Sequence, residues 1–208
     1  MISTRELCQK VPVIPVLVVD KVSQARPLAE TLVAAGLPVL EVTLRTPVAL
    51  EVIREMSAVP GSIVGAGTVL TATDVSAVKA AGAEFAVSPG ATDNLLAAVD
   101  DHDLPLLPGA VTSSEVMGLM EKGYDMLKFF PAEAAGGVSL LKSLGGPLPD
   151  VSFCPTGGIN AKTAADYLAL SNVLCVGGSW VTPKAMVEAG DWAGIAALAR
   201  ATVALRGG

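Results

Sequence analysis

The stretch Val39–Ala58, VLEVTLRTPVALEVIREMSA, contains one complete strand-and-helix unit. Its first part alternates apolar and polar residues, which is the period of a β-strand with two different faces. Pro47 then fits the first turn of a helix, and the apolar residues after it recur at the spacing of one helical face. The stretch therefore predicts a strand, a short loop and an amphipathic helix.

The same unit repeats along the chain. Short segments rich in Val, Ile, Leu and Phe alternate with longer Ala- and Leu-rich segments at helical spacing. The predicted strands are Val11–Val19, Val39–Leu44, Ile63–Val69, Phe85–Pro89, Leu104–Ala110, Met126–Ala132, Val151–Gly158 and Val173–Trp180. The predicted helices are Ser23–Ala35, Pro47–Ala58, Thr71–Ala80, Asp93–Asp100, Ser113–Lys122, Val138–Leu144, Ala161–Leu170 and a tail, Pro183–Leu205.

Residues at the predicted helix ends agree with this division. Side chains that favour N-caps stand before or at the first turns, and glycines stand where helices should end. The predicted N-caps are Ser23, Thr71, Thr112 and Asn160, and the predicted stops are Gly36, Gly82 and Gly123.

Eight units in 208 residues leave 26 residues for each unit. Alternating strands and helices predict a parallel sheet, and eight such units close naturally into a (β/α)8 TIM barrel. A doubly wound open sheet is the alternative. Since no Pro-, Gly- or Ser-rich linker divides the chain, residues 1–208 are predicted to form a single barrel domain.

The composition excludes several classes of partner. A net charge of −6 makes nucleic acid and anionic membranes poor partners. The longest apolar run, Val11–Val19, is far shorter than the roughly 20 residues of a membrane span. Cys8, Cys154 and Cys175 are widely spaced without a CxxC pair, which argues against a zinc site and for a reducing, cytoplasmic compartment.

Lys128 is the most informative residue, because it interrupts the otherwise apolar strand MLKFFPA. Burial disfavours an ammonium ion and favours the neutral amine, which is the form that attacks a carbonyl to make a Schiff base. An exterior lysine or a structural ion pair is the alternative.

Glu41, Thr43 and Arg45 share one face of their predicted strand, opposite Leu40, Val42 and Leu44. If that face points into a barrel, Glu41 is placed to act as a general acid and base, and Arg45 to grip a carboxylate. A structural Glu41–Arg45 pair is the alternative.

Glycines mark the ends of several strands. GAGT, residues 65–68, and SPG, residues 88–90, end two strands of the first half. PTGG, residues 155–158, and GGS, residues 177–179, end the last two strands, where barrels of this kind often bind phosphate through backbone amides. No GxxxxGK[ST] or GxGxxG motif supports a nucleotide cofactor.

Taken in order, the segments VLEVTLRTP, VGAGTVL, SPGAT, LKFFPAE and FCPTGGI resemble the bacterial 2-keto-3-deoxy-6-phosphogluconate (KDPG) aldolases. The resemblance extends from about Pro12 to Trp192. It implies a class I aldolase that needs no metal or other cofactor, has a (β/α)8 fold, assembles as a homotrimer and cleaves KDPG to pyruvate and glyceraldehyde 3-phosphate.

Carried over by position, the resemblance implies that Lys128 forms the Schiff base and that Glu41 is the general acid and base. It implies that Arg45 and Thr68 hold the pyruvyl carboxylate and that Pro89 and Phe130 line the pocket. The phosphorylated end of the substrate would then face Thr156, Gly157, Gly158, Gly177, Gly178 and Ser179.

Three other functions remain open at this point. The same Lys128 chemistry would serve an aldolase that prefers 4-hydroxy-2-ketoglutarate. A phosphosugar isomerase or epimerase, or a non-catalytic phosphosugar sensor, would use the phosphate end without an imine.

Overall fold

A computed structural model describes residues 2–206 and contains eight short strands. Each lies inside a predicted strand and is shorter than predicted. They are β1 (Val13–Leu17), β2 (Val39–Thr43), β3 (Ile63–Gly67), β4 (Phe85–Val87), β5 (Leu106–Leu107), β6 (Met126–Phe129), β7 (Ser152–Pro155) and β8 (Val176–Gly178).

The strands are all parallel and form two sheets. Six of them pair in the order β5-β4-β3-β2-β1-β8, and β6 pairs with β7. Isolated bridges join the smaller sheet to both edges of the larger one, at Gly109–Lys128, Phe153–Val173 and Thr156–Gly177. The order follows the chain without the reversal of a doubly wound sheet, so that alternative is wrong for the described residues.

Helices separate the strands much as the sequence predicts. The bounds are α1 (Thr4–Lys10), α2 (Ala25–Ala34), α3 (Ala49–Ser57), α4 (Ala72–Ala80), α5 (Asp93–Asp101), α6 (Ser113–Met120), α7 (Ala132–Ala135), α8 (Gly137–Gly145), α9 (Ala164–Leu168), α10 (Lys184–Ala189) and α11 (Trp192–Val203). Short 3₁₀ turns cover Val22–Gln24 and Ala204–Arg206. Helices α1 and α7 were not predicted, and the predicted tail helix is divided at Gly190.

Half of the predicted N-caps are correct. Thr71 and Thr112 each accept a hydrogen bond from the backbone three residues later and form complete capping boxes. Ser23 instead lies within a 3₁₀ turn before α2. Asn160 lies one turn before α9, and its side-chain oxygen accepts a hydrogen bond from the Lys162 amide within that turn. The three predicted glycine stops, Gly36, Gly82 and Gly123, all have positive φ angles.

Helix α1 covers the amino-terminal end of β6 and β7. Its Arg5 guanidinium donates to the Asp125 carboxylate at 2.7 Å, to the Asp125 carbonyl at 3.0 Å and to the Ser152 hydroxyl at 3.1 Å. Leu7 and Cys8 on the same helix are buried. The opposite, carboxyl-terminal end of the strands is therefore the end left for a site. Among residues 2–206, no helix is long and apolar enough to cross a bilayer.

Candidate active site

Lys128 and Glu41 meet at the centre of the site. Lys128 lies in β6 and is 6% exposed, while Glu41 lies in β2 and is 3% exposed. The Lys128 Nζ atom donates to Glu41 Oε1 at 3.3 Å. The alternative of an exterior lysine is wrong, and the buried partner of Glu41 is Lys128 rather than Arg45.

A glycine on the neighbouring strand makes room for Glu41. Glu41 and Gly65 are register partners, and Gly67 lies two residues farther along β3. A Cβ atom on Gly67 would overlap Glu41 Oε1, so any larger residue would displace the carboxylate. Gly67, the second glycine of GAGT, therefore leaves space for the Glu41 carboxylate and also ends the strand.

The polar residues expected on one face of β2 have three different environments. Glu41 is the partner of Lys128. Thr43 is buried and donates from its hydroxyl to the Leu17 carbonyl of β1 at 2.9 Å, which joins two strands. Arg45 lies just beyond the strand, because β2 ends at Thr43, and it is exposed in the following turn.

Three further predicted residues lie at the ends of their strands or just beyond. Thr68 follows β3 with a φ angle of 62°, an unusual value for a β-branched residue and one that marks local strain. Pro89 follows β4 and is exposed. Phe130 follows β6, and the Lys128 Nζ atom lies 5.3 Å from its ring centroid.

The glycines after β7 and β8 are packed against particular side chains. Gly157 and Gly158 have φ angles of 103° and 81°, which are accessible mainly to glycine. Added Cβ atoms would meet the Phe130 ring at Gly157 and Glu133 at Gly158. The backbone amides of Ala132 and Glu133 donate to the carbonyls of Thr156 and Gly157, so α7 holds this loop beside the end of β6.

The corresponding turn after β8 is also tightly packed. Gly177 forms a bridge with the buried Thr156, and a Cβ on Gly177 would meet the Thr156 hydroxyl. A Cβ on Gly178 would meet the Trp180 ring, and Ser179 is exposed. The two Gly-Gly elements expected at one phosphate-binding end are therefore neighbours, linked through Thr156 and Gly177.

Sequence reasoning missed three features of this region. Ser88 is fully buried beside Pro89, and its hydroxyl has no hydrogen-bond partner among the described residues. Tyr167, also fully buried, donates to Glu133 Oε1 at 2.5 Å beside Gly158, and burial raises the pKa of its phenol. Period and motif carry no signal for either, since both depend on packing between distant units.

The third missed feature is a cluster of the three cysteines. Their sulfur atoms all lie within 4.8 Å of one another, although the residues are far apart in the chain. Chain spacing was therefore a poor guide, because three different elements bring them together. Within residues 2–206, they are the one group of three His, Cys, Asp or Glu side chains close enough to share a metal ion.

The chain is similar to known aldolases over nearly its whole length. A family model described as KDPG and KHG aldolase matches residues 4–198. The chain is 50% identical to a 2-dehydro-3-deoxy-phosphogluconate aldolase of Pseudoalteromonas atlantica, with 98% of this chain and 95% of the relative covered.

Two solved structures have the same fold. A KDPG aldolase from Legionella pneumophila, with pyruvate captured as a covalent carbinolamine, has a TM-score of 0.93 at 47% identity and covers 96% of this chain and 97% of its own. A KDPG aldolase from Zymomonas mobilis with 3-phosphoglycerate has a TM-score of 0.91 at 48% identity, covering 96% and 94%. The chain with the buried Lys128–Glu41 pair therefore belongs to the KDPG and KHG aldolase family, a family of lyases.

Proposed function

We propose that the protein is a class I aldolase that cleaves KDPG to pyruvate and glyceraldehyde 3-phosphate. The observation that carries the proposal is the buried Lys128–Glu41 pair, in which an amine and a carboxylate lie 3.3 Å apart on facing strands. The membership of the family and the 50% identity to a named KDPG aldolase support the same activity.

The proposal includes the architecture around the site. We infer that the two sheets form one closed (β/α)8 barrel in a single domain, which the isolated bridges at both edges of β6–β7 support. A cytoplasmic homotrimer is the expected form. Val18, Leu70 and Met117 are exposed apolar side chains that neighbouring subunits would cover, and light scattering on the purified protein tests the trimer.

The first step joins the substrate to Lys128. The Glu41 carboxylate is placed to receive a proton from the Lys128 ammonium, which leaves the amine free to attack the C2 ketone. Glu41 then returns this proton to the carbinolamine hydroxyl, which leaves as water, so a protonated imine forms and Glu41 is again a carboxylate. The low exposure of both side chains limits competition from bulk water at this position.

The second step breaks the carbon–carbon bond. The cationic imine accepts the electron pair of the C3–C4 bond while Glu41 removes the proton of the C4 hydroxyl. Glyceraldehyde 3-phosphate leaves, and an enamine of pyruvate remains on Lys128. Proton transfer from Glu41 to C3 and hydrolysis of the imine then release pyruvate and regenerate the amine.

The substrate carries a carboxylate at one end and a phosphate at the other, and different groups of residues are assigned to each. Arg45 and Thr68 follow β2 and β3 and are assigned to the pyruvyl carboxylate, which a guanidinium binds in bidentate fashion. Thr156, Gly157, Gly158, Gly177, Gly178 and Ser179 are assigned to the phosphate, and Pro89 and Phe130 to the walls. The positive φ angles at Gly157 and Gly158 support an anion-binding loop.

A second substrate has specific support. The family model covers both KDPG and KHG aldolases, where KHG is 4-hydroxy-2-ketoglutarate. This compound has the same 2-keto and 4-hydroxy groups as KDPG but no phosphate. Kinetics with both substrates separate the two activities. We expect a higher kcat/KM for KDPG, and the reverse order would assign the 4-hydroxy-2-ketoglutarate activity instead.

Trapping of the imine tests the chemistry directly. The protein is incubated with pyruvate and borohydride, digested and analysed by peptide mass spectrometry. We expect a reduced pyruvyl adduct on Lys128 alone. A folded protein without an adduct would contradict the aldolase proposal and favour an isomerase or a sensor, and a Lys128→Arg variant is the matched control that keeps the charge.

A further inference from the structure

The three cysteines converge from three separate elements. Cys8 comes from α1, Cys154 from β7 and Cys175 from the residue before β8. Each is 2% exposed or less, and their sulfurs lie within 4.8 Å of one another. Three soft ligand atoms in one apolar position are the donor set that thiophilic ions prefer.

Burial restricts which ion fits this cluster. Three thiolates carry three negative charges, and an uncompensated charge in an apolar interior is unfavourable. A trivalent ion leaves the complex neutral, whereas a divalent ion leaves one negative charge. Zinc in structural sites also requires a fourth ligand, and no further His, Cys, Asp or Glu among the described residues joins the group.

We propose that Cys8, Cys154 and Cys175 form a buried three-thiol site for a trivalent thiophilic metalloid such as arsenic(III). The reaction is a balanced exchange of ligands without oxidation. Arsenous acid, As(OH)₃, forms three As–S bonds while its three hydroxyl groups leave as water with the three thiol protons. The product is neutral and remains in the apolar interior.

The three thiols differ in their pKa values. Hydrogen bonds from Cys175 and Cys8 hold the pKa of the Cys154 thiol well below its usual range, with a further contribution from the charge of Lys128. Burial raises the pKa of Cys175, and the hydrogen bond with Cys154 raises that of Cys8. The lowered pKa favours the thiolate form of Cys154, which is the nucleophilic form of a thiol.

The cluster adjoins the proposed catalytic lysine. Cys154 is the register partner of Lys128 in the β6–β7 pair, and Cys175 lies two residues before Gly177, on the same side of its strand. Three bonds to one atom would draw β7, the start of β8 and α1 together. We therefore expect occupation of the site to inhibit the aldolase without any contact with its substrate.

Helix α1 controls access to the site. Because all three sulfurs are buried, arsenite enters only when α1 moves away from the sheet. Arg5 fastens that helix through its bonds to Asp125 and Ser152. Slow uptake by the native protein and faster uptake by an Arg5→Ala variant are the expected kinetic behaviour.

The decisive experiment treats the full-length protein with arsenite, under argon, and records native mass spectra and aldolase activity over time. We expect one arsenic per chain, with the loss of three thiol protons and no retained hydroxyl, and no thiol left for a disulfide reagent after denaturation. Activity should fall in proportion to this adduct. A two-thiol adduct retains one hydroxyl and is heavier by one water, so the two are distinguishable.

Variants at Cys8 provide the control, since this residue takes no part in the proposed catalysis. Cys8→Ala and Cys8→Val should keep their basal activity, form at most the two-thiol adduct and resist inhibition. A native protein that forms no three-thiol adduct, that keeps full activity when fully modified, or that reacts like its Cys8 variants would overturn the proposal.

Discussion

The two ends of the strands use polar side chains in opposite ways. At the amino-terminal end, Arg5 makes three hydrogen bonds to Asp125 and Ser152, and Cys8 of α1 is enclosed. At the carboxyl-terminal end, Arg45 is exposed, Thr68 is strained and the Ser88 hydroxyl has no partner within the described residues. One end satisfies its polar groups internally, and the other leaves them available.

This difference indicates where stability and chemistry are separated. Substitutions at the amino-terminal end should change the free energy of unfolding and leave turnover unchanged. Substitutions around Lys128 and Glu41 should change turnover far more than stability. For each variant below, both kcat and the free energy of unfolding are therefore to be measured. A variant that changes the unexpected one of the two would contradict this separation.

The largest effect is expected at Lys128. Lys128→Ala removes the proposed covalent nucleophile, and such losses lower kcat by on the order of 10⁶-fold. Steady-state cleavage of KDPG, coupled to pyruvate detection, measures the change. Near-normal activity in a folded Lys128→Ala protein would refute the Schiff-base assignment.

Glu41→Gln should have a smaller effect on catalysis. The amide keeps the shape of the side chain but transfers no proton, and loss of one general acid and base lowers kcat by roughly 10²- to 10⁴-fold. Borohydride trapping with pyruvate should still label Lys128 in this variant, although slowly. If kcat falls less than KM rises, Glu41 binds substrate and does not transfer protons.

At the opposite end, Arg5→Ala should act on stability alone. It removes the charged hydrogen bonds to Asp125 and Ser152, which at a partly exposed site are worth about 1–2 kcal/mol of the free energy of unfolding. Urea denaturation measures this loss. An Arg5→Lys variant keeps the charge without the forked geometry, and a change of kcat in either protein would argue against the separation of the two ends.

The smallest effect is expected at a structural carboxylate of the catalytic end. Backbone amides of Thr112 and Val111 hold the pKa of Glu115 below its ordinary value of 4.5. This contribution to stability is complete above the ordinary value and is lost as the pH falls from it through the lower pKa of the folded state. Glu115→Gln should remove about 0.5–1 kcal/mol at neutral pH and flatten the acid loss of stability. An unchanged pH profile would show that the charge of the Glu115 carboxylate contributes nothing to stability.

Much of the fold is predictable from local patterns. All eight strands fall inside predicted ranges, because buried parallel strands are short apolar runs bounded by turns. Helix α1 escaped prediction because its first residues are polar and its apolar residues are few. Ser23 and Asn160 failed as N-caps because neighbouring turns start their helices at other residues.

The site was only partly predictable. Lys128 and Glu41 were identifiable because a charge in an apolar strand is unfavourable without a reason. Their contact required the strand order, and the cysteine cluster required three elements to converge. The polar alternation continues to Arg45 although β2 ends at Thr43, so period alone could not show that Arg45 lies in a turn.

The backbone of Lys128 also joins the two sheets. Its amide donates to the Pro108 carbonyl at 2.8 Å, and its carbonyl accepts from the Ala110 amide at 2.9 Å, beside the bridge to Gly109. If the hydrogen bonds of Lys128 to Pro108 and Ala110 break, β6 separates from the larger sheet and carries the reactive lysine with it. Enzymatic activity therefore depends on the two sheets staying joined at Lys128. During partial unfolding, amide hydrogen exchange at Lys128 and loss of turnover should increase together.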